Sequence, residues 1–309
     1  MMYRTDQVSN GVFYVMIKDR KDVQGNIDIK GDGIMNTTDA EKRKILDSMK
    51  GLIVSCQVVP EDPIYTDDMV VKMAEAAQWA GAVGIRANSP EQIRAIKKAV
   101  DLPVIGLYKI RRGDEEVFIT PTLEAAKQVW EAGAEIIAMD CTDRMTKEGR
   151  RAWELVADVK REIPEAMIFA DVSNYDEAKR AADLGVDIVA PTLFGYTEAT
   201  KHFETQDMRA FAKMCRDLGS DVYMMMEGHI NTPEEAVKCL YLGAHAVVVG
   251  SAITRPHLTA KRFADLISGY REFITGSLLM EIQQKFHGQA VFECLEINFT
   301  EISVLYSSE

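Results

Sequence analysis

The chain has 309 residues, of which 47% are apolar and 27% charged, as in a globular protein with a substantial core. Its 36 Lys and Arg against 48 Asp and Glu give a net charge of −12, which argues against a general nucleic-acid binder and against a protein that binds anionic membranes. Five cysteines without a CxxC pair argue against a disulfide framework or a cysteine zinc site, and they favour a reducing, cytoplasmic environment.

Residues 1–49 are expected to form an N-terminal extension, either disordered or helical, and they lack the pattern of a secretory signal. Residues 28–39 are similar to a single calcium loop of the dockerin kind, although Lys30 stands where an oxygen ligand belongs. A glycine turn followed by a capped helix from Thr37 is the preferred interpretation. A third hypothesis is that translation begins at Met35.

From residue 50 to residue 275, short apolar strands alternate with longer helical patterns. Continuously apolar strands are typical of a parallel sheet that is covered on both faces. No apolar run approaches the ~20 residues that a membrane-spanning helix needs. The predicted strands are 52–57, 82–87, 103–109, 135–140, 167–171, 187–192, 221–227 and 245–250, and the predicted helices are 66–80, 90–99, 122–132, 148–162, 175–184, 207–218, 232–242 and 257–274.

A glycine recurs where a predicted helix ends and the next strand is about to begin, at Gly81, Gly133, Gly185 and Gly243. Each interval holds two strand–helix units, and a glycine there supplies the left-handed residue that ends a helix. Eight such units in this order predict a (β/α)8 TIM barrel, with a doubly wound open sheet as the alternative. Residues 276–309 follow as a C-terminal tail whose role the pattern does not indicate.

A polar or charged residue stands at the C-terminal end of almost every predicted strand. In a TIM barrel the active site lies at the C-terminal ends of the strands, so these residues are expected to converge on one mouth. In chain order they are Gln57, Arg86, Lys109, Asp140, Asp171, Thr192, Glu227 and the pair Gly250-Ser251.

Lys109 is interpreted either as a solvated loop lysine or as a base whose pKa is lowered by burial and by the nearby Arg86. Glu227 ends an apolar strand, where a carboxylate needs a partner, so we expect it to pair with Lys109 or with a substrate hydroxyl. Asp140 and Asp171 could each be structural, and Asp140 is the preferred ligand contact of the two.

Gly228, Gly250, Ser251 and Arg255 are the candidate phosphate-binding residues. TIM barrels often bind phosphate with backbone N–H groups of the loops after the seventh and eighth strands, and an arginine adds a charge-assisted contact. The alternative is a plain tight turn. The five histidines have no HxH or HExxH spacing, so no metal site is predicted.

Residues 51–274 resemble the N-acetylmannosamine-6-phosphate 2-epimerase family of bacterial sialic acid catabolism. The resemblance implies a TIM barrel that needs no organic cofactor and that interconverts N-acetylmannosamine 6-phosphate and N-acetylglucosamine 6-phosphate. The matching stretches are LIVSCQ at 52–57, GIRA at 84–87, PVIGLYK at 103–109, ITPTL at 119–123, GYT at 195–197, EGHINTPE at 227–234 and VGSAITRP at 249–256.

The resemblance also implies roles for single residues. The family's acid/base lysine corresponds to Lys109 and its glutamate to Glu227. Its substrate-contacting glutamine, arginine and aspartate correspond to Gln57, Arg86 and Asp140, and its phosphate arginine to Arg255. Two departures, His229 where many relatives have arginine and Phe194 where a small residue is common, put fine contacts to the sugar in doubt.

Three functions remain to be separated. The first is this epimerase, which is expected to act on an amino-sugar phosphate, to form a homodimer, and to bind neither nucleic acid nor membrane. The second is a lyase or decarboxylase on a related phosphate-binding barrel. The third is a sugar-phosphate sensor without activity, against which the presence of both Lys109 and Glu227 argues.

Overall fold

Eight parallel strands form a closed barrel, in which each strand pairs with the next along the chain and β8 pairs with β1. The computed structural model describes residues 37–58, 61–66, 68–203 and 205–273. The predicted TIM barrel is confirmed. The strands are β1 (Gly51–Cys56), β2 (Gly84–Asn88), β3 (Val104–Leu107), β4 (Ile136–Asp140), β5 (Met167–Asp171), β6 (Ile188–Ala190), β7 (Tyr223–Glu227) and β8 (Ala246–Val249).

Helices surround the barrel and mostly follow the strands one by one. The described α-helices are α1 (Thr37–Ser48), α2 (Met69–Trp79), α3 (Pro90–Ala99), α4 (Leu123–Glu131), α5 (Leu155–Glu162), α6 (Tyr175–Asp183), α7 (Met208–Leu218), α8 (Pro233–Tyr241), α9 (Ser251–Thr254) and α10 (Pro256–Phe273). Within these residues no helix is both long enough and apolar enough to span a membrane.

The ends of the helices follow from local side-chain chemistry. Thr122 and Asn174 begin α4 and α6 by accepting hydrogen bonds from backbone N–H groups of the first turn, and Thr232 begins α8 in a capping box with Glu235. At the other ends, the four recurring glycines have positive φ values between 71° and 108°. The prediction that these glycines end helices in the left-handed conformation is confirmed.

Two apolar layers hold the barrel together. One lies between the strands and the surrounding helices and includes Ile85, Val129 and Phe211. The other fills the inside of the barrel and includes Ile105 and Phe169, both fully buried. Because these apolar side chains fill the inside of the barrel, the polar side chains of the candidate site lie near the C-terminal ends of the strands.

Helix α1 closes the N-terminal end of the barrel. Leu46 and Met49 belong to the inner apolar layer, the Tyr223 hydroxyl donates to Asp47 at 2.7 Å, and His245 Nε2 lies 2.8 Å from the Leu46 carbonyl oxygen. The helix predicted from Thr37 is therefore confirmed. The calcium-loop and Met35 hypotheses concern residues before 37, and the tail lies after 273, so both fall outside the described residues.

The boundaries of most elements differ from those predicted, and three of the differences have an identifiable cause or affect a candidate residue. Strand β6 ends at Ala190 because Pro191 has no N–H to continue the ladder, so Thr192 lies in the following turn. Helix α5 begins at Leu155, after a loop that contains Gly149 with φ 76°. Strand β3 ends at Leu107, and Lys109 lies beyond it in an isolated bridge to Ile119.

Candidate active site

A buried ion-pair cluster lies at the C-terminal end of the barrel interior. Arg86 is the third residue of β2 rather than its last, and its side chain is almost fully buried. Its Nη2 donates to both carboxylate oxygens of Asp171, at 2.9 and 2.7 Å, and its Nη1 donates to Glu227. The guanidinium lies 5.3 Å from the ring centre of Phe169. One cation therefore holds two carboxylates, from β5 and β7, over an apolar floor.

Lys109 lies beside this cluster in a fixed position. Its backbone N–H donates to Asn88 Oδ1 at 2.8 Å, and its Nζ donates to Gln57 Oε1 at 2.6 Å. Gln57 in turn donates from Nε2 to the hydroxyl of Ser55 at 2.8 Å. This chain of hydrogen bonds fixes the position of the amine relative to β1.

The amine of Lys109 is easier to deprotonate than that of an ordinary lysine. Its pKa is lowered to about 8, first because surrounding protein atoms remove water from the amine and second because Arg86 carries a like charge. The residue as a whole is exposed, so this desolvation is partial. An amine with a pKa close to neutrality is suited to general base catalysis.

Glu227 has the opposite shift. Burial raises the pKa of its carboxyl to about 7, although the Arg86 guanidinium opposes the shift, and the charge of Asp171 adds to it. Thr192 Oγ1 donates to Glu227 Oε2 at 3.4 Å. Glu227 was expected to pair with Lys109 or with a substrate hydroxyl. Among the described residues, its ion-pair partner is Arg86 and not Lys109.

Asp140 and Asp171 form a register pair on β4 and β5, but they have different partners. Asp140 accepts from the N–H and the hydroxyl of Thr142 and from Arg144, all within its own loop. Asp171 is part of the ion-pair cluster with Arg86. Asp171, which the sequence ranked below Asp140, is therefore added to the site, whereas substrate contact by Asp140 stays a prediction.

The candidate phosphate residues lie on the neighbouring side of the mouth. Gly250 directly precedes α9, whose residue Thr254 donates to the Ser55 carbonyl oxygen at 3.0 Å. Arg255 does not have a free guanidinium, because it forms an ion pair with the buried Asp62. The sequence did not indicate this partner, which comes from the loop after β1.

A glutamine that the sequence did not single out fixes the backbone at the end of β7. Gln206 Nε2 donates to the carbonyl oxygens of Pro191 and Glu227, at 3.1 Å each. A Cβ at Gly228 would lie only 3.0 Å from that nitrogen, and φ there is 94°, so the position requires glycine. No local pattern could have identified Gln206, since its bond to Glu227 spans 21 residues.

The rim of the mouth includes an aromatic pair from the loops after β6 and β7. The rings of Tyr196 and His229 stack with centroids 5.8 Å apart, and His229 Nε2 lies 3.3 Å from the Phe194 carbonyl oxygen. His229 has a φ of 57°, an unusual value for a residue with a side chain. His229 and Phe194, the two residues that depart from the resembled family, therefore contact each other.

The described residues bring Gln57, Arg86, Lys109 and Glu227 together, and they add Asp171 to this group. Gly228 follows Glu227 directly, whereas Gly250, Ser251 and Arg255 lie around α9. Among the residues that the structure describes, no group of three or more His, Cys, Asp or Glu side chains is arranged to hold a metal ion.

Comparisons with known proteins agree on one family. The family model "Putative N-acetylmannosamine-6-phosphate epimerase" matches residues 70–269. Two relatives carry the name "Putative N-acetylmannosamine-6-phosphate 2-epimerase". One, from Caldanaerobacter subterraneus subsp. tengcongensis, is 45% identical over 72% of this chain and 92% of the relative. The other, from Listeria welshimeri, is 43% identical over 74% of this chain and 95% of the relative.

A solved structure agrees with these sequence matches. The N-acetylmannosamine-6-phosphate 2-epimerase from Clostridium perfringens is 37% identical, with a TM-score of 0.67, over 72% of this chain and 96% of that chain.

Proposed function

Because the chain belongs to the N-acetylmannosamine-6-phosphate epimerase family, we propose that it interconverts N-acetylmannosamine 6-phosphate and N-acetylglucosamine 6-phosphate. The observation that carries the proposal is a pair of groups at one mouth with pKa values near neutrality, Lys109 at about 8 and Glu227 at about 7. Such a pair can exchange protons with a substrate at neutral pH.

Inversion at C2 of this sugar requires an acidic C2–H. The hydrogen is acidic only in the open-chain form, in which C1 is a carbonyl carbon. The ring therefore opens, the C2 proton is removed, the electron pair spreads to the C1 oxygen, and a proton returns to the opposite face of C2. The protein must supply a base and must stabilise the charge that develops on oxygen.

We assign the removal and return of the C2 proton to Lys109, with rotation of the open-chain intermediate about its C2–C3 bond between the two steps so that the same amine meets the opposite face of C2. With a pKa of about 8, about one quarter of its amine is neutral at pH 7.5 and can accept a proton. The hydrogen bond to Gln57 orients the amine. A base whose pKa lies close to the working pH can both take the proton and give it back.

Glu227 is assigned to ring opening and to orientation of the sugar. Its raised pKa leaves part of the carboxyl protonated near pH 7, so it can donate a proton to the ring oxygen as well as accept one from a hydroxyl. Arg86, Gln57 and Asp140 are proposed to bind the C1 oxygen, the hydroxyls or the amide. Arg86 Nε is a buried donor without a hydrogen-bond partner among the described protein atoms, which supports such a contact.

The phosphate is proposed to bind at Gly228, Gly250, Ser251 and Arg255. The start of α9 presents backbone N–H groups, and glycine lets a ligand approach the backbone closely. A phosphate at this position would share Arg255 with Asp62. The phosphate itself does not react, but its binding energy would help to position the reacting carbon at the other end of the sugar.

The wider setting is proposed from the family and from the composition. The reaction is proposed to belong to the amino-sugar breakdown of the sialic acid pathway, and five cysteines without a CxxC pair favour the cytoplasm. The partners are the small amino-sugar phosphate and a second copy of the chain in a homodimer.

Product analysis in deuterated water tests the reaction. Incubation with N-acetylmannosamine 6-phosphate should give N-acetylglucosamine 6-phosphate that carries deuterium at C2, as measured by proton NMR. Release of carbon dioxide or cleavage of the carbon chain would favour the lyase alternative. Tight binding of the sugar phosphate without any product would favour the sensor.

A further inference from the structure

Lys109 lies on the first strand of a short antiparallel hairpin that follows β3. Two backbone hydrogen bonds of 2.9 Å close this hairpin, one on each side of the lysine. The N–H of Ile110 donates to the carbonyl oxygen of Phe118, and the N–H of Thr120 donates to that of Tyr108. The place of the lysine therefore depends on how the hairpin is attached to the barrel.

The hydroxyl of Thr120 attaches the hairpin to the barrel wall. Pairing between β3 and β4 ends at Gly106 and Ile137. Just beyond this point, Thr120 Oγ1 donates to the carbonyl oxygen of Ala138 at 2.6 Å and accepts from the N–H of Tyr108 at 3.1 Å. Because a hydroxyl can donate and accept at the same time, this one side chain connects both strands of the hairpin to β4.

Thr120 also has a backbone conformation that a β-branched residue rarely adopts. Its φ is 46°, in the left-handed region, and a residue that precedes a proline such as Pro121 normally has an extended backbone. A glycine would adopt this conformation without strain, but it has no hydroxyl. Strained residues cluster at active sites, where surrounding contacts hold them in place. Thr120 is 1% exposed, and the two bonds of its hydroxyl are such contacts.

We propose that Thr120 is a positioning residue for the proton transfer at C2, because its hydroxyl fixes the hairpin that carries Lys109 against β4. Thr120 does not contact the sugar itself, since it is buried and its hydroxyl is bonded on both sides. It acts through Lys109, whose amine must lie within hydrogen-bond distance of the proton that it removes. The inference rests on the role proposed for Lys109 as the base.

The charge state of the Lys109 amine depends on the same attachment. Its pKa is lowered to about 8, chiefly by burial and then by Arg86, and to a smaller extent by Arg111, whereas Glu227 and Asp171 raise it. Arg111 belongs to the hairpin, and the other three charged residues belong to the barrel. If the hairpin moved away from β4, water would reach the amine and Arg86 would lie further from it, so the pKa would rise toward its ordinary value of 10.5.

Four variants separate positioning from folding. Thr120→Val and Thr120→Gly both lack the hydroxyl. The valine keeps the shape of the side chain, whereas the glycine releases the backbone strain and so keeps the protein folded. Thr120→Ser keeps the hydroxyl. Thr122→Val is the matched control, because it removes a threonine hydroxyl of the same segment that caps α4 by accepting from the Ala125 N–H at 3.1 Å.

Steady-state kinetics with N-acetylmannosamine 6-phosphate should separate these variants, and thermal unfolding checks that each is folded. Thr120→Val and Thr120→Gly should have a kcat about 10²-fold below that of the wild type and a KM within about twofold of it, since a displaced base slows the reaction without changing how the phosphate binds. Thr120→Ser should retain the kcat of the wild type. Thr122→Val should melt a few degrees lower but should also keep the wild-type kcat.

Labelling of the amine is a second measurement, and it does not need epimerase activity. Each protein is treated with a trace of acetic anhydride from about pH 6 to about pH 11, and modification of Lys109 is measured by mass spectrometry of its peptide. The midpoint should lie near pH 8 in the wild type, Thr120→Ser and Thr122→Val. It should lie about one pH unit or more higher in Thr120→Val and Thr120→Gly.

A Thr120→Gly variant with an unchanged kcat or an unchanged labelling midpoint would overturn the inference. A wild type without epimerase activity would instead refute the proposed reaction, and the midpoints would still decide whether Thr120 holds the amine in place.

Discussion

Replacing Lys109 by methionine should slow epimerisation strongly and also remove a pH dependence of the folding stability. Methionine keeps the length of the side chain but has no amine. Loss of a general base costs about 10²–10⁴ in rate. The effect on stability follows from the lowered pKa of the amine, which means that the fold disfavours its charged form.

The size of the stability effect follows from the pKa of Lys109, which falls from 10.5 to about 8 on folding. At about 1.36 kcal/mol per pKa unit this sets an upper bound of about 3 kcal/mol. Since the residue is exposed and solvent screens it, we expect about 1 kcal/mol. The unfolded state binds the extra proton between pH 8 and 10.5, so the stability of the wild type rises across this window relative to the variant.

Urea unfolding of the wild type and Lys109→Met at pH 7, 8, 9 and 10.5 measures this difference. Groups remote from Lys109 titrate equally in both proteins and cancel. Glu227, whose pKa of about 7 is lowered by the charge of Lys109, is avoided by comparing the slopes between pH 9 and 10.5. The hydrogen bond to Gln57 is lost at every pH, so it shifts the difference without changing its slope. Lys98→Met, which removes an exposed lysine of α3, is the control and should follow the wild type. A Lys109→Met profile parallel to that of the wild type would refute the perturbed amine.

Three further variants test other parts of the account. Glu227→Gln removes the carboxyl that titrates near pH 7, so the change in kcat/KM with pH around that value should disappear and kcat should fall about 10²-fold. If kcat/KM still changes with pH near 7, another group is responsible for that change. Gln206→Leu removes the hydrogen bond to the Glu227 carbonyl oxygen at the end of β7, so kcat should fall about tenfold while the protein stays folded. An unchanged kcat would show that Gln206 does not position Glu227. Gly106→Ala should cost about 1–3 kcal/mol in thermal unfolding, because the new Cβ would lie 2.6 Å from Ala134 Cβ; an unchanged melting temperature would contradict this packing.

The fold could be predicted because its signals are local and repeated. Each apolar strand is followed by an amphipathic helix, and Gly81, Gly133, Gly185 and Gly243 mark the same point of successive units. Closure of the barrel follows from the number and order of these units. The boundaries that differed depend on single residues, such as Pro191, which ends β6 two residues before the predicted limit.

The site was predictable in its residue types but not in its pairings. Strand ends indicated Lys109, Arg86 and Glu227, since a parallel barrel brings all strand ends to one mouth. The sequence could not indicate that Arg86 rather than Lys109 forms the ion pair with Glu227, because strand spacing does not reveal which side chain reaches furthest across the barrel. For the same reason it could not indicate that Asp171 also forms an ion pair with Arg86.

Contacts between distant segments were beyond the reach of any sequence pattern. The ion pair of Arg255 with Asp62 joins residues 193 positions apart, and the hydrogen bond from Gln206 to the end of β7 joins residues that are separated by helix α7.

Solvent deuterium exchange at C2 in the wild type and in Lys109→Met most directly tests the claim that the Lys109 amine moves this proton. N-acetylmannosamine 6-phosphate is incubated with each protein in deuterated water, and the C2–H signal is followed over time. The wild type should place deuterium at C2 of the product, whereas the variant should leave the substrate unlabelled. Exchange by Lys109→Met at the wild-type rate, or wild-type product that keeps its original hydrogen, would contradict the account.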